Sequence, residues 1–478
     1  MAGTKVKHRS VEERIARGKG YRKKTPVSSP AGWVPAPDRP DPVALLEEQN
    51  LTREQDLVPV RHGRMLVSPF TFYRGAAKIM AADLKDTPRA GLITQLCGDA
   101  HLSNFGVFAS PERTLLFDLN DFDETLPGPF EYDVKRMSAS FTIAARNNAF
   151  SKEETRDVTL TAVRAYREAM AQFAKMRTLD IWYARLSEEQ LLETINLAVA
   201  SQKGKALKKA AKGMEKTARA NVAKAHTRDS LQALSKLAEL VDGKYRIVSQ
   251  PPIVIPAREL GGSFSMSADE LEQVIREQLR SYRATLQEDR RHLLERFEII
   301  DVARKVVGVG SVGTRAFIAL LQGRDQQDPL FLQVKEATRS VLEDHLPKSK
   351  FKQPGERVVQ GQRVMQAASD IFLGWTRGAQ QNRYLYWRQL RDMKGSAVVE
   401  GMKPLGMTFY ANACGWTLAR AHARSGDAVA IAAYLGKSEK FDVAVTDFSE
   451  RYADQNERDY QAFAEAVRSG RLEAIEGL

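Results

Sequence analysis

The stretch Cys97–Gly106, CGDAHLSNFG, gathers an acid, an imidazole and an amide: Asp99, His101 and Asn104. A short way on, NDFDE adds Asp121, Asp123 and Glu124. In a loop that reverses direction, Asp99 and Asn104 converge on one point. A carboxylate can orient an attacking hydroxyl or take its proton. An amide oxygen can hold a hard cation such as Mg²⁺, and Asp121 and Asp123 would add further oxygen ligands. Mg²⁺ is usually held by one or two protein carboxylates plus substrate phosphates, so this composition suits a phosphate-handling metal site. It lacks the several histidines of a typical zinc hydrolase.

A second group lies far downstream. Gly308–Gly313, GVGSVG, matches G-x-G-x-x-G, and FLQVKEA places Lys335 at the end of a strand after the next turn. Such glycines suit a turn that approaches phosphates closely. Two other readings stay open. A Rossmann unit would take TRAFIALLQG as a short helix and Glu336 as its acid, but it leaves Asp99, Asn104 and Asp121 unused. A purely structural turn is the third. For His101, packing within its own loop is favoured over a role as ligand or base. Asp118 and Glu124 are expected to cap turns, and Cys97 to be a small buried residue. Arg74, between aromatics in FYRGAA, either contacts phosphate or the acidic loop, or forms a structural ion pair. Arg388, Asp392 and Lys394 pose the same choice.

The elements that must position these groups read as follows. Residues 1–42 are basic and then Pro-rich, which predicts a tail and extended linker with Trp33 docking it. Residues 43–295 are mainly helical and hold both acidic loops. Within them GLITQL and RTLLFDL read as two strands of one hairpin, and Ser267 with Glu270 reads as a capping box. Residues 296–396 are β-rich, and 397–478 are helical again.

The 478 residues are enough for two or three structural units. No run of about 18 apolar residues predicts a membrane span. The first ten residues lack the apolar stretch of a secretory signal, and two cysteines exclude a disulfide framework. A reducing, cytoplasmic setting is the expectation. The net charge of +12 favours polyanionic partners. It concentrates in the first 24 residues and in residues 203–228, each expected to be a solvated basic surface, with an acidic or nucleic-acid partner as the alternative.

Gly98, Asp99, His101 and Asn104, as G-D-x-H-x-x-N, resemble the catalytic loop of the aminoglycoside-phosphotransferase branch of the protein-kinase-like fold. That resemblance implies that Asp99 orients or deprotonates the acceptor hydroxyl and that Asn104 binds Mg²⁺. It implies Asp121 as the second metal ligand, ahead of Asp118 or Asp123, because Asp133 follows at the distance of the aspartate that braces the catalytic loop. It further implies that Gly308, Gly310, Ser311, Gly313 and Lys335 cradle ATP phosphates, that Glu356 pairs with Lys335, and that Gln389 to Asp392 approach the adenine. Because the glycine turn follows the catalytic loop, the implied fold is α+β: a protein-kinase-like two-lobe fold in circularly permuted order. It has a mainly helical large lobe and a small antiparallel-sheet nucleotide lobe. The two distant loops should then face each other across one cleft. The implied activity is ATP- and Mg²⁺-dependent phosphate transfer to an unidentified hydroxyl acceptor. The alternatives are AMP transfer or nucleotide binding alone on the same fold, and a basic nucleic-acid-binding protein. More closely, the run from SPFTFYRGAA to NDFDE resembles a bacterial family catalogued as a domain of unknown function, from about residue 45 onward.

Overall fold

The helices begin where local chemistry satisfies their free N–H groups. Ser10 with Glu13 and Ser151 with Glu154 form capping boxes that open Val11–Lys24 and Lys152–Phe173. Asp41 caps Pro42–Asn50, with proline at the first helical position. The computed structural model describes residues 8–201, 205–260, 268–306, 308–379, 383–390 and 392–477. Ser267, expected as a cap, lies outside them.

The fold is mixed, with helices and antiparallel sheets. Its helical body packs Glu131–Asn147, Lys152–Phe173, Pro404–Ser425 and Lys440–Arg468 around one apolar core. Phe130 stacks on Tyr166 there, ring centroids 6.0 Å apart. Four short strands are set into this body: β1 (Ile93–Leu96), β2 (Phe105–Ala109), β3 (Leu115–Leu119) and β4 (Leu126–Pro129). The expected hairpin of β1 with β3 does not form. β1 pairs with β4 and β2 with β3, so each acidic loop joins one pair to the other.

A hairpin, β5 (Ala238–Val241) and β6 (Lys244–Ile247), precedes the larger sheet. That sheet comprises β7 (Val254–Pro256), β8 (Glu298–Lys305), β9 (Ala316–Gln322), β10 (Pro329–Glu336), β11 (Gly374–Arg377) and β12 (Tyr384–Gln389), in spatial order β7-β8-β9-β10-β12-β11. Strand periodicity decides its two faces. Ile318 and Leu320 of β9 pack toward the helix Ser230–Leu237, whereas Ala319 and Leu321 join Leu279, Tyr282 and Leu294. A sheet covered on both sides explains why the β-rich unit starts well before residue 296: segments from about residue 230 cover it. The chain then returns through β13 (Gly395–Ser396), which pairs with β2.

Among the described residues, the basic N-terminal segment is not an extended tail. Val11–Lys24 is a helix packed on Ala428–Leu435, with Gly18 against the carbonyl of Ala430 and Arg14 bonded to Asp427 at 2.7 Å. Trp33 docks between Phe448 and Tyr452, centroids 5.6 and 5.1 Å away. Among the described residues no helix is long and apolar enough to cross a membrane.

Candidate active site

Strand pairing stacks the two acidic loops. Leu96 at the end of β1 lies opposite Leu126, and Phe105 at the start of β2 lies opposite Leu119. Residues 97–104 and 120–125 therefore cross side by side between the two strand pairs. The N–H of Asn120 donates to the carbonyl of Asn104 at 2.8 Å and ties them together. Gly98 has φ +86°, and a Cβ there would collide with the carbonyl of Glu124, so glycine is required for this approach. Asp133, in the first turn of Glu131–Asn147, accepts the N–H groups of Cys97 (2.7 Å) and Gly98 (2.9 Å). His422 Nε2 lies 3.2 Å from the same carboxylate. Tyr410 donates to the carbonyls of Leu102 and Phe105, so the helix Pro404–Ser425 supports the loop.

Asp99 accepts from Nε of the buried Arg136 at 2.7 Å, and Arg136 in turn donates to the carbonyl of Tyr73. Asn104 spends its amide N–H on the carbonyl of Asp99 at 2.7 Å, which leaves its side-chain oxygen as the atom to offer a cation. His101 is buried with Nδ1 unpartnered. Burial, then Arg136 and Arg74, hold its imidazole well below the ordinary range, so it is neutral. Cys97 is buried too, and burial pushes its thiol well up. Asp118 is withdrawn from the loops: it pairs with buried Arg420 and accepts the N–H of Ala367 at 2.8 Å.

Lys335 lies near the end of β10, 2% exposed, as expected for a strand lysine. Its Nζ donates to Asp123 Oδ2 at 2.6 Å and lies 3.5 Å from Asp121 Oδ2. Burial opposes its charge, yet Asp121 and Asp123 outweigh burial and raise its pKa. Asp123 also accepts from the hydroxyl of Tyr386 at 2.7 Å. Burial would push Asp123 up, but Lys335 pulls it below the ordinary carboxylate range. Asp121 is the less engaged carboxylate; burial and the neighbouring Asp123 raise it. A cation would relieve that repulsion, so the donor chemistry of Asp121 and Asn104 fits a Mg²⁺ ion. Among the described residues no three His, Cys, Asp or Glu side chains form a ready metal cage. Phosphate oxygens would have to complete the shell.

Glu356 is not the partner of Lys335, whose carboxylates are Asp121 and Asp123. The next residue, Arg357, is buried and donates to the carbonyls of Thr125 (2.6 Å), Asp123 (2.7 Å) and Thr338 (2.9 Å), fixing the acidic loop against the sheet. Glu124 accepts the N–H of Val341 at 2.7 Å, and burial raises its carboxyl to about 7.

The glycine turn joins antiparallel β8 to β9, and TRAFIALLQG contributes a strand rather than a helix, so the Rossmann reading falls. Gly308 and Gly313 have φ +67° and +86°. The turn is anchored from the N-terminal segment. Arg64 donates to the carbonyl of Gly308 at 2.5 Å, the N–H of Glu54 donates to that of Gly313 at 2.8 Å, and Arg53 donates to that of Val312.

One cleft of about 430 Å³ brings these parts together. Asp99, Asn104, Asp121, Asp123 and Glu124 line it from the helical body, and Gly308, Gly310 and Ser311 from the sheet. Ser311 Oγ lies 3.5 Å from Asp123 Oδ2 across it. Lys335 and Gly313 do not line it themselves; Lys335 reaches it through its two carboxylates. Among the described residues, none of 389–394 lines it either. Gln389 is tied to Asp370 and Asp392 to Arg113, and Arg388, Asp392 and Lys394 border a separate small cavity. Burial, and then Arg388, holds the ammonium of Lys394 down to about 7. Sequence reasoning missed Arg53, Arg136, Arg357 and Tyr386. Each acts through contacts with segments remote in the chain, and no local motif marks them.

No curated protein and no solved structure matches the chain. The family described as "Uncharacterized protein conserved in bacteria (DUF2252)" matches residues 53–466. That span includes both acidic loops, the glycine turn and Lys335, and the chain belongs to this family.

Proposed function

We propose that the protein is an ATP- and Mg²⁺-dependent phosphotransferase of protein-kinase-like architecture, with its lobes in circularly permuted order. The observation that carries this reading is the shared cleft. The glycine turn and the Asp99 loop lie about 200 residues apart in sequence yet line one cavity. The order of parts within the larger sheet supports it: a strand, the glycine turn, a second strand, a third strand bearing Lys335, a helix (Pro354–Met365), then two more strands. A glycine-rich turn over the phosphates and a lysine on the third strand are the parts that protein kinases use. Chemistry depends on spatial convergence, and chain order is secondary to it.

In this reading Asp99, steadied by Arg136, orients the acceptor hydroxyl. Asn104 and Asp121 would hold the metal. Bound Mg²⁺ would supply charge neutralisation on the β- and γ-phosphates. Lys335 now offsets the charge of Asp121 and Asp123; with nucleotide present it would turn to phosphate oxygens. Backbone N–H groups of Gly308 to Gly313 would face the triphosphate. Positioning and charge neutralisation would then do most of the catalysis.

ATP labelled in turn at the γ- and α-phosphate, incubated with Mg²⁺ and a bacterial extract, tests the activity. Label from the γ position should reach an acceptor, and Asp99→Asn should lower that transfer at least 100-fold while nucleotide affinity changes little. Transfer of the α label would mean AMP transfer. Transfer of neither would leave only nucleotide binding at this cleft.

A further inference from the structure

The largest fully buried arginines of this protein have their guanidinium groups engaged. Arg61 donates to Asn50, Gln49 and the carbonyl of Gly75, and Arg420 to Asp118 and the carbonyl of Met365. Arg136 and Arg357 are bonded as described above. Arg74 departs from this pattern. It lines the cleft together with Asp99, half-buried; its Nε is buried without a partner, as in Arg61, Arg357 and Arg420, but those three bond through their NH groups. Among the described residues its side chain makes no hydrogen bond and no ion pair; its one aromatic contact is the ring of Phe70, 6.0 Å away. The opposing charges it feels, Glu400 and Asp99, form no ion pair with it.

Other acids around the cleft are already engaged. Glu48 and Asp344 hold Lys78 at 2.9 and 3.3 Å, and Glu336 holds Arg383 at 2.7 Å. A guanidinium is thus kept beside Asp99 with no counter-ion. Burying charge without a partner is unfavourable. A binding site retains such a group because the ligand brings the missing charge. The planar fork of arginine matches the oxygens of phosphate or carboxylate.

We propose that Arg74 is an anion-binding residue of this cleft and takes a phosphate or carboxylate group set beside Asp99. The phosphotransfer reading enters only in naming the source of that anion. It is either the terminal phosphate of the nucleotide or an anionic group on the acceptor, and in the second case the acceptor is an anionic hydroxyl compound.

The test compares the full chain with Arg74→Ala and Arg74→Lys, titrated with inorganic phosphate at constant ionic strength and with Mg·ATP and Mg·ADP. Phosphate is expected to raise the wild-type Tm, Arg74→Ala to lose at least tenfold in phosphate affinity, and Arg74→Lys to fall between. Without ligand, Arg74→Ala should melt at or above the wild-type temperature, because an unpartnered cation has gone; a structural arginine would lower it. If the anion is the nucleotide's terminal phosphate, Arg74→Ala weakens ATP and leaves ADP unchanged. If it belongs to the acceptor, both nucleotides bind as before and phosphate binding on top of Mg·ADP is lost. Phosphate-dependent stabilisation that needs Arg74, in a protein that binds no nucleotide, would support the anion site and overturn the phosphotransfer reading alone. Unchanged affinity for phosphate, ATP and ADP in Arg74→Ala overturns the proposal.

Discussion

Lys335, Asp121 and Asp123 form a set in which three charges share one buried corner, and each sets the protonation of the others. Glu124 stands beside them with a different balance. Its carboxyl, raised from 4.5 to about 7 by burial, keeps a proton in the folded state that the unfolded chain has already released. Stability linked to that proton is fully present below about pH 4.5 and is lost as pH rises through 7. Glu124→Gln should remove this loss. Urea denaturation from pH 5 to 8 is expected to show the variant gaining on the wild type as pH rises; parallel curves would refute the assignment. In the proposed reading Asp121, rather than Asp123, would hold the metal, because both oxygens of Asp123 already accept hydrogen bonds, from Lys335 and Tyr386.

Among the elements, the two acidic loops depend on one glycine and one helix terminus. Gly98→Ala forces a Cβ toward the Glu124 carbonyl at a left-handed φ, and about 2–3 kcal/mol of destabilisation is expected from chemical denaturation. A loss below about 0.5 kcal/mol would mean that the loops can separate without cost. This close approach also marks the limit of what the sequence could tell. The loops themselves were legible, because Asp99, Asn104 and Asp121 stand in short polar stretches between apolar runs, and the resemblance to a catalytic loop pointed to Asp133 as the brace. The pairing of β1 was not: β3 and β4 are both apolar, and register is decided by distant partners. Likewise TRAFIALLQG reads equally as helix or strand until β8 and β10 flank it. Glu356 looked like the partner of Lys335 from helix position alone, but the carboxylates that reach the lysine come from a loop over 200 residues earlier.

For the whole molecule, the N-terminal segment binds the parts together. Arg39 bridges Asp83 and Asp459, both at 2.6 Å and all nearly buried, and so joins the first part of the chain to its last helix. Basic composition had suggested a solvated tail, because the matching acids lie as far as 420 residues away. Arg39→Ala would leave two buried carboxylates unpaired and should cost about 3–5 kcal/mol in urea denaturation. The proposed phosphate transfer, per folded molecule, should stay unchanged, since Arg39 does not line the cleft. The same segment carries Arg53 and Arg64 to the glycine turn, which couples the helical body to the sheet across the cleft. In the proposed reading this cleft binds ATP through a metal held by Asp121 and Asn104. The most direct test of that reading is the thermal stability of the full chain with ATP, with and without Mg²⁺, for the wild type, Asp99→Asn and Asp121→Asn. Ligand binding to the folded state raises Tm. The expected result is a Mg²⁺-dependent rise that Asp99→Asn keeps and Asp121→Asn loses; no rise with any nucleotide, or an equal rise in all three proteins, would contradict it.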